Sequence, residues 1–508
     1  MQQLSGMDAS FVYFETPARP MHVAGLSIYD PSTAPGGKVT FKGILANFEE
    51  RIHLARTFRQ KMVPVPMNLD HPYWVEDRDF DLEFHVRHIA LPKPGDWRQL
   101  CILAARLHSH MLDLSRPLWE TYVIEGLDNV EGVPRGSFAL LQKTHHAAID
   151  GMSGMEMTSA IHDLTPTAEP PATTDTWQGE DDPSPLTLLG RATVNNATRP
   201  MHFGRVVART VPGMGRVTNR VRRRQLQLPP TSAPRTRFNG TVSAHRVIDA
   251  RRFDLGEVRR MKTAVDGATV NDVVLAIVGG GLRAYLRDKG ELPDASLLAM
   301  APISVRSESE KGSQGNQVSS MVVSVASNVA DPLERLRAVR ESTHQSKELS
   351  SAVGARTLTE YSQFIPGGLA ALAARTASRF EMANRVDPTA NCVVTNVPGP
   401  REPLYFAGAE LVTMLGMGPI GDGLGLMHPV TSYVNELVIA VTSCREMLPD
   451  PAVYAQCLQD SHDELAEATG AGTSSPKRRP PPRTAARSAS SAPRRRSRAR
   501  SAAARSSS

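Results

Sequence analysis

Lys143-Thr-His-His-Ala-Ala-Ile-Asp-Gly-Met-Ser-Gly154 joins two kinds of sequence. Upstream, Phe138 to Thr144 is apolar and suited to an extended chain. Downstream, Met152 to Leu164 has the apolar spacing of a short amphipathic helix. The pattern predicts a strand that runs out into a loop carrying His145, His146, Asp150 and Gly151. With 15 His and 37 Gly in 508 residues, four such residues at this spacing arise by accident on the order of once per thousand chains.

Successive side chains of an extended chain point to opposite faces, so the two histidines cannot both enter one cleft, and only one can be the working base. A neutral imidazole can take a proton from an alcohol as that alcohol attacks a thioester, a contribution of roughly 10²- to 10⁴-fold in rate. Alignment of two substrates and stabilisation of the tetrahedral oxyanion supply the rest, with no covalent enzyme intermediate. Asp150 either orients the imidazole or pairs with an arginine to hold the loop. The second role is favoured, because the turn needs fixing and Gly151 lets backbone approach closely. Three other readings compete with this one. A partial metal site lacks the remaining ligands at a zinc spacing. The His-x4-Asp spacing of glycerophosphate-type acyltransferases lacks a Glu-Gly-Thr-Arg segment downstream, and the third reading is a pair of structural histidines.

Further motifs surround the histidine pair: Met7-Asp-Ala-Ser-Phe11, Pro20-Met-His-Val23, Phe58-Arg-Gln-Lys61, His71-Pro-Tyr-Trp74 and Leu114-Ser-Arg-Pro-Leu-Trp-Glu120 before or beside it. After it come Asn271-Asp272, Pro302-Ile-Ser-Val-Arg306, Gly315-Asn316 and Asn396-Val-Pro-Gly-Pro400. In this order they make the chain, from Leu4 to about Asp450, resemble the bacterial wax ester synthase/diacylglycerol acyltransferase family, especially its actinobacterial triacylglycerol synthases. The resemblance implies an α/β (α+β) fold of two coenzyme-A-dependent, chloramphenicol acetyltransferase-like subdomains with a channel between them, related also to condensation domains. It implies His146 as the base and Asp150 as a structural residue paired with an arginine, for which Arg306 is the candidate. It implies long-chain acyl-CoA as a substrate, with no separate cofactor and no metal, and diacylglycerol or a long-chain fatty alcohol as acceptor.

Asn271 and Asp272 open an apolar run, Val270 to Leu286, that reads as a buried helix interrupted at Gly279-Gly-Gly281; the pair is a helix cap or a part of the substrate site. Asn396, Pro398 and Gly399 belong to a rigid turn that could border the acyl channel. Pro117-Leu-Trp119 reads as packing. Two departures from the family pattern stand near the end: Cys444 replaces an expected aspartate, and Val434-Asn435-Glu436 replaces a glycine-bearing pattern.

At 508 residues and 41% apolar the chain can bury a large core, and four cysteines without close spacing suggest no zinc or disulfide framework and a reducing compartment. The first residues have no basic start or apolar h-region, and no apolar run reaches the ~20 residues needed to cross a bilayer, so a cytoplasmic protein is expected. The organisation reads as an N-terminal subdomain over 1–164, a basic connector over 165–242, a C-terminal subdomain over 243–470 and an unfolded Arg/Ser/Ala/Pro tail over 471–508. Ser474 to Ser508 holds 11 Lys and Arg and no acid; taking these from the net +6 leaves the rest of the chain at −5. Pro183 to Ile248 has 12 arginines and no Asp or Glu. That connector is either a solvated linker or an element that lies on an anionic membrane or lipid-droplet surface.

Gly416-Met-Gly-Pro-Ile-Gly421 matches a dinucleotide fingerprint, but Pro419, Gly423 and Gly425 oppose the helix that must follow, so it reads as a turn. The arginine-rich tail raises nucleic-acid binding as a second class, which its lack of aromatic residues argues against. A condensation-type domain acting on carrier-bound acyl groups is a third reading, and no carrier or adenylation region accompanies it.

Overall fold

Apolar, β-prone runs spaced along the chain form two six-stranded sheets, and the way the later runs complete the earlier sheet is what frames the histidine loop. The computed structural model describes residues 1–149, 153–168, 179–199, 232–304, 318–353 and 378–472, with isolated positions between them. Asp150, Gly151, Arg306, Gly315-Asn316, most of the basic connector and the tail lie outside the described residues. Contacts gather Met1–Gly472 into one unit.

Along the first part of the chain come β1 (Gln2–Gln3), α1 (Gly6–Phe14), β2 (His22–Asp30), α2 (Phe41–Arg51), β3 (Gln60–Val63), β4 (Tyr73–Glu76), α3 (Leu82–His85), β5 (Val86–Ala90), α4 (Trp97–Ser109), β6 (Trp119–Glu125), β7 (Phe138–His145) and α5 (Ser153–Ile161). Residues 185–199 form α6. After it follow β8 (Arg246–Asp254), α7 (Leu255–Met261), α8 (Val270–Asp288), β9 (Leu298–Ser304), β10 (Val318–Ser324), α9 (Pro332–Val353), β11 (Cys392–Val397), β12 (Tyr405–Phe406), β13 (Ala409–Met417), β14 (Leu426–Tyr433), β15 (Glu436–Cys444) and α10 (Pro451–Thr469).

The strand and the helix expected on either side of the histidine loop are β7 and α5. One six-stranded sheet has the order β12-β13-β2-β7-β6-β5, the other β10-β9-β11-β14-β15-β8, and a small third sheet is β1-β4-β3. β13, from late in the sequence, lies antiparallel to β2 with a bulge between Leu411 and Thr413. The sheet that carries the histidines is thus finished by residues nearly 400 positions after β2. Two apolar clusters bridge early and late segments. Leu26, Leu141 and Tyr122 pack with Ile248, Ala250, Val438 and Ala440, whereas Phe48, Phe58 and Trp119 pack with Phe406 and Tyr433. Trp119 is fully buried and donates its indole N–H to the Phe58 carbonyl at 2.9 Å, the packing role expected of it.

Several local expectations are corrected. α8 runs from Val270 to Asp288 without interruption, because its three glycines lie where neighbours press onto the helix. A Cβ on Gly280 would stand 2.1 Å from both Arg335 Nη1 and Ser461 Oγ, and one on Gly279 1.9 Å from the Val325 carbonyl oxygen. These glycines cost helix propensity, about 1 kcal/mol each, and gain close packing instead. β11 extends through Asn396 and Val397, so the turn begins only at Pro398. Gly416 and Met417 end β13, and the chain then turns at residues 421–424 with no helix after it. Where the glycine-bearing pattern is replaced, a two-residue connection joins β14 and β15, and Val434 adopts φ +51°, a left-handed conformation that β-branched residues rarely take.

Candidate active site

β7 delivers the histidine pair. Its register with β2 sets His145 opposite His22, and its pairing with β6 sets Thr144 opposite Trp119. Behind the site, the fully buried Lys143 donates to the carbonyls of Leu107 at 3.0 Å and His110 at 2.8 Å, capping the end of α4, and stands 3.6 Å from the Glu120 carboxylate. Burial lowers the Lys143 ammonium's pKa and Glu120 raises it. His22 is also fully buried against the His108 carbonyl, and His108 faces the carbonyl of Gly418 at the end of β13. Burial drives His22 well below the ordinary histidine value and pushes His108 down to about 3.

The two histidines part company at the strand end. His145 is the last residue of β7 and fully buried; His146 begins the turn that follows, so the separation arises from the turn and not from strand alternation alone. His145 Nδ1 accepts the Ala147 N–H at 3.1 Å, which places the ring proton on Nε2, 3.5 Å from Glu15 Oε1. His146 keeps part of its surface open and stacks on Phe11, with ring centroids 3.9 Å apart and planes 12° from parallel. Burial pushes the His146 pKa down to about 4; its own main-chain carbonyl raises it and His145 lowers it. The result is one neutral imidazole, free to accept a proton at any working pH, beside a fully buried and hydrogen-bonded neighbour.

Asn271 and Asp272 occupy the first turn of α8. Thr269 is the N-cap, and Asp272 Oδ2 accepts its N–H at 2.7 Å and its hydroxyl at 2.8 Å. Asp272 Oδ1 accepts the Thr343 hydroxyl at 2.7 Å, tying α8 to α9 in a buried link. Both carboxylate oxygens are therefore held within the fold, while Asn271 remains half-buried beside them. Asn396 lies in β11 opposite Val430, Pro398 is exposed, and Gly399 donates its N–H to the Ser432 hydroxyl at 3.2 Å, where a Cβ would strike the Ser432 carbonyl oxygen. Cys444 is buried beside Arg246 across the strand pair, and all four cysteines are free. Lacking a carboxylate there, Arg246 bonds to the carbonyls of Ser243 and Ala18, and burial draws its pKa down to about 10. No group of three or more His, Cys, Asp or Glu among the described residues is placed to hold a metal, and no described helix is long and apolar enough to cross a membrane.

Sequence reasoning missed the residues that touch the histidines from the other side: Phe11, Glu15 and Met21. The motifs Met7–Phe11 and Pro20–Val23 were visible, but no local pattern tells that α1 folds onto a loop 130 residues away.

The fold itself defines a class. A solved condensation domain, the first of the CDA synthetase, superposes with a TM-score of 0.52 over 92% of this chain and 97% of its own at 13% identity, which shows a shared fold. The wax ester synthase/diacylglycerol acyltransferase from Marinobacter aquaeolei VT8 superposes with a TM-score of 0.63 at 27% identity, covering 92% of this chain and all of that one. A putative diacylglycerol O-acyltransferase of Mycobacterium tuberculosis is 35% identical over 467 residues, 92% of this chain and 90% of the relative. Residues 4–274 match the wax ester synthase/diacylglycerol acyltransferase catalytic domain, and residues 314–466 match the C-terminal domain of the same family. The chain belongs to the wax ester synthase/diacylglycerol acyltransferase family and is an acyltransferase.

Proposed function

We propose that the protein is an acyl-CoA:diacylglycerol O-acyltransferase in which His146 is the general base. His146 Nε2 takes the proton of the acceptor hydroxyl, the alkoxide oxygen bonds to the thioester carbonyl carbon, and collapse of the tetrahedral species breaks the C–S bond and expels the CoA thiolate, which takes the proton back from the His146 imidazolium and leaves as the thiol. The transfer balances with acyl-CoA and alcohol alone. The observation that carries this reading is the contrast between the two rings: His145 has Nδ1 committed to a backbone amide and Nε2 facing a carboxylate, whereas His146 is neutral and partly open. A thiol-release assay with palmitoyl-CoA tests it. His146→Ala should lower the rate by roughly 10²- to 10⁴-fold, and full activity in that variant overturns the assignment. Running dioleoylglycerol against hexadecanol in the same assay separates triacylglycerol from wax ester synthesis, the near alternative with identical chemistry.

A water-insoluble acceptor needs an enzyme that meets a lipid surface, and we infer peripheral contact with anionic membrane or lipid droplet through α6. Its inner side buries Leu188 and Ala192 against Val65 and Tyr73, while Leu186 (81% exposed) and Val194 (64%) point outward. Met67, 78% exposed, stands in the loop whose Leu69 carbonyl accepts the Asn196 side-chain N–H from α6. From Pro183 to Ile248 the sequence is arginine-rich and acid-free, which suits an anionic surface, each basic residue there contributing about 1 kcal/mol at best, and of the acids just before α6 Asp181 pairs with Arg78 and Asp182 with Lys61. Leu186→Asp with Val194→Asp should reduce flotation with phosphatidylglycerol vesicles; unchanged flotation at low salt overturns the inference.

A further inference from the structure

We propose that α1 positions the acyl-transfer base: Glu15, at its C-terminal end, holds the His145–Ala147 turn, and Phe11, one turn earlier, backs the His146 ring. The proposal rests on His146 being the base.

Two hydrogen bonds and one close approach gather at one carboxylate oxygen and its neighbours. Glu15 Oε1 accepts the Met21 N–H at 3.0 Å and faces His145 Nε2 at 3.5 Å. The Met21 carbonyl in turn accepts the His146 N–H at 2.9 Å. Glu15 therefore holds the main chain of His146 through Met21 and sets its carboxylate against the ring of His145. Phe11 precedes Glu15 by four residues, the spacing that brings side chains to one side of a helix, and it presents its ring face to His146.

Glu15 is only 8% exposed, and its second oxygen, Oε2, is buried without a hydrogen-bond partner. Burying a carboxylate this way carries a desolvation cost that an apolar side chain of similar size would not incur. Packing alone gives no reason for an acid here; a need to hold Met21 and His145 in one geometry does.

The helix is itself anchored at both ends. Ser5 accepts the Asp8 N–H at 3.1 Å and donates its hydroxyl to the Asp8 carboxylate at 2.6 Å, capping the start. Beyond Glu15, Arg19 pairs with Asp422 at 2.9 Å and the Ala18 carbonyl accepts from Arg246 at 2.8 Å, so late segments of the chain clamp the same loop. A base misplaced by about 1 Å loses on the order of 10²-fold in rate, and that is the scale on which α1 acts.

The test uses the full-length enzyme, palmitoyl-CoA and dioleoylglycerol, at a temperature where circular dichroism shows each variant folded. Glu15→Ala should lower kcat roughly 100-fold while leaving KM for acyl-CoA within about twofold. Glu15→Gln, which keeps an acceptor oxygen for the Met21 N–H, should recover most of that loss. Phe11→Leu should also lower kcat with KM unchanged, and it carries the test alone if Glu15→Ala does not fold. An inactive His146→Ala together with wild-type kcat in Glu15→Ala and Phe11→Leu overturns the positioning role and leaves the base assignment standing. Wild-type kcat in His146→Ala overturns the base and the positioning role with it. A loss confined to KM, or one that disappears when rates are expressed per folded molecule, also overturns the proposal.

Discussion

Acid should unfold this protein in a window set by its buried histidines, and His428 gives the measure. His428 is fully buried and shares a hydrogen bond with the Tyr454 hydroxyl at 2.7 Å, and burial pushes its pKa down to about 4. His108, 2% exposed, is pushed down to about 3. In the unfolded chain each titrates near 6.5, so the unfolded state binds protons first. Stability is therefore complete above pH 6.5 and falls as pH drops from there toward the folded values. At pH 5 each histidine has cost about 2 kcal/mol, at 1.36 kcal/mol per pH unit, so these two together remove about 4 kcal/mol from a total typically of 5–15. His22, likewise driven down by burial, adds in the same direction. The assay is urea unfolding at pH 7 and pH 5, followed by circular dichroism, for the wild type and His428→Gln. Glutamine is neutral at both values and can still bond the tyrosine. Whatever the substitution costs at pH 7, the variant should lose about 2 kcal/mol less than the wild type between the two conditions. Equal losses in the two proteins would refute the burial of a neutral His428.

The same physics separates activity from stability. His146 is also held low, so initial rates of the folded enzyme should stay level from pH 7.5 to 5.5, measured within seconds of a pH jump, even as unfolding accelerates; a rate that halves near pH 6.5 would show an unperturbed base. Val434→Gly should raise the urea midpoint by an amount equivalent to about 1 kcal/mol, since glycine accepts the left-handed φ that valine endures, and a lower midpoint would count against that strain. Gly280→Ala should destabilise by about 2 kcal/mol or more despite alanine's better helix propensity, because its Cβ meets Arg335 and Ser461; a gain in thermal midpoint would contradict the packing argument.

Elements decided by short-range pattern were legible in the sequence. β7 and α8 stand within a residue or two of the apolar runs that announced them, and α5 ends three residues short of its run, since alternation and helical spacing depend only on near neighbours. Where a distant segment intervenes, the reading slipped. Gly279–Gly281 looked like an interruption because a glycine in a helix reads as a breaker until the neighbours pressing on it are known. Asn396 and Val397 looked like part of a turn because the following Pro-Gly-Pro dominates the local signal, while their pairing with Val430 and Thr431 comes from a strand some 30 residues on.

The site divides along the same line, and the division explains how it works. His145 and His146 announce themselves by adjacency, yet which ring is free is decided by partners that adjacency cannot reveal: Ala147 on one nitrogen of His145, Glu15 near the other, Phe11 against His146. Glu15 and Phe11 arrive with α1, and α1 holds its place because Arg19 meets Asp422 and Arg246 reaches Ala18. A base placed by its own strand alone would move whenever the loop after β7 relaxed. Here the loop is gripped through Met21 by a segment that is itself tied to residues after β13, and β13 lies beside β2 in the histidine sheet. Loosening that tie with Asp422→Ala should therefore lower kcat without touching either histidine, and normal kcat in a folded Asp422→Ala protein would show that the late segments stabilise the fold but do not aim the base.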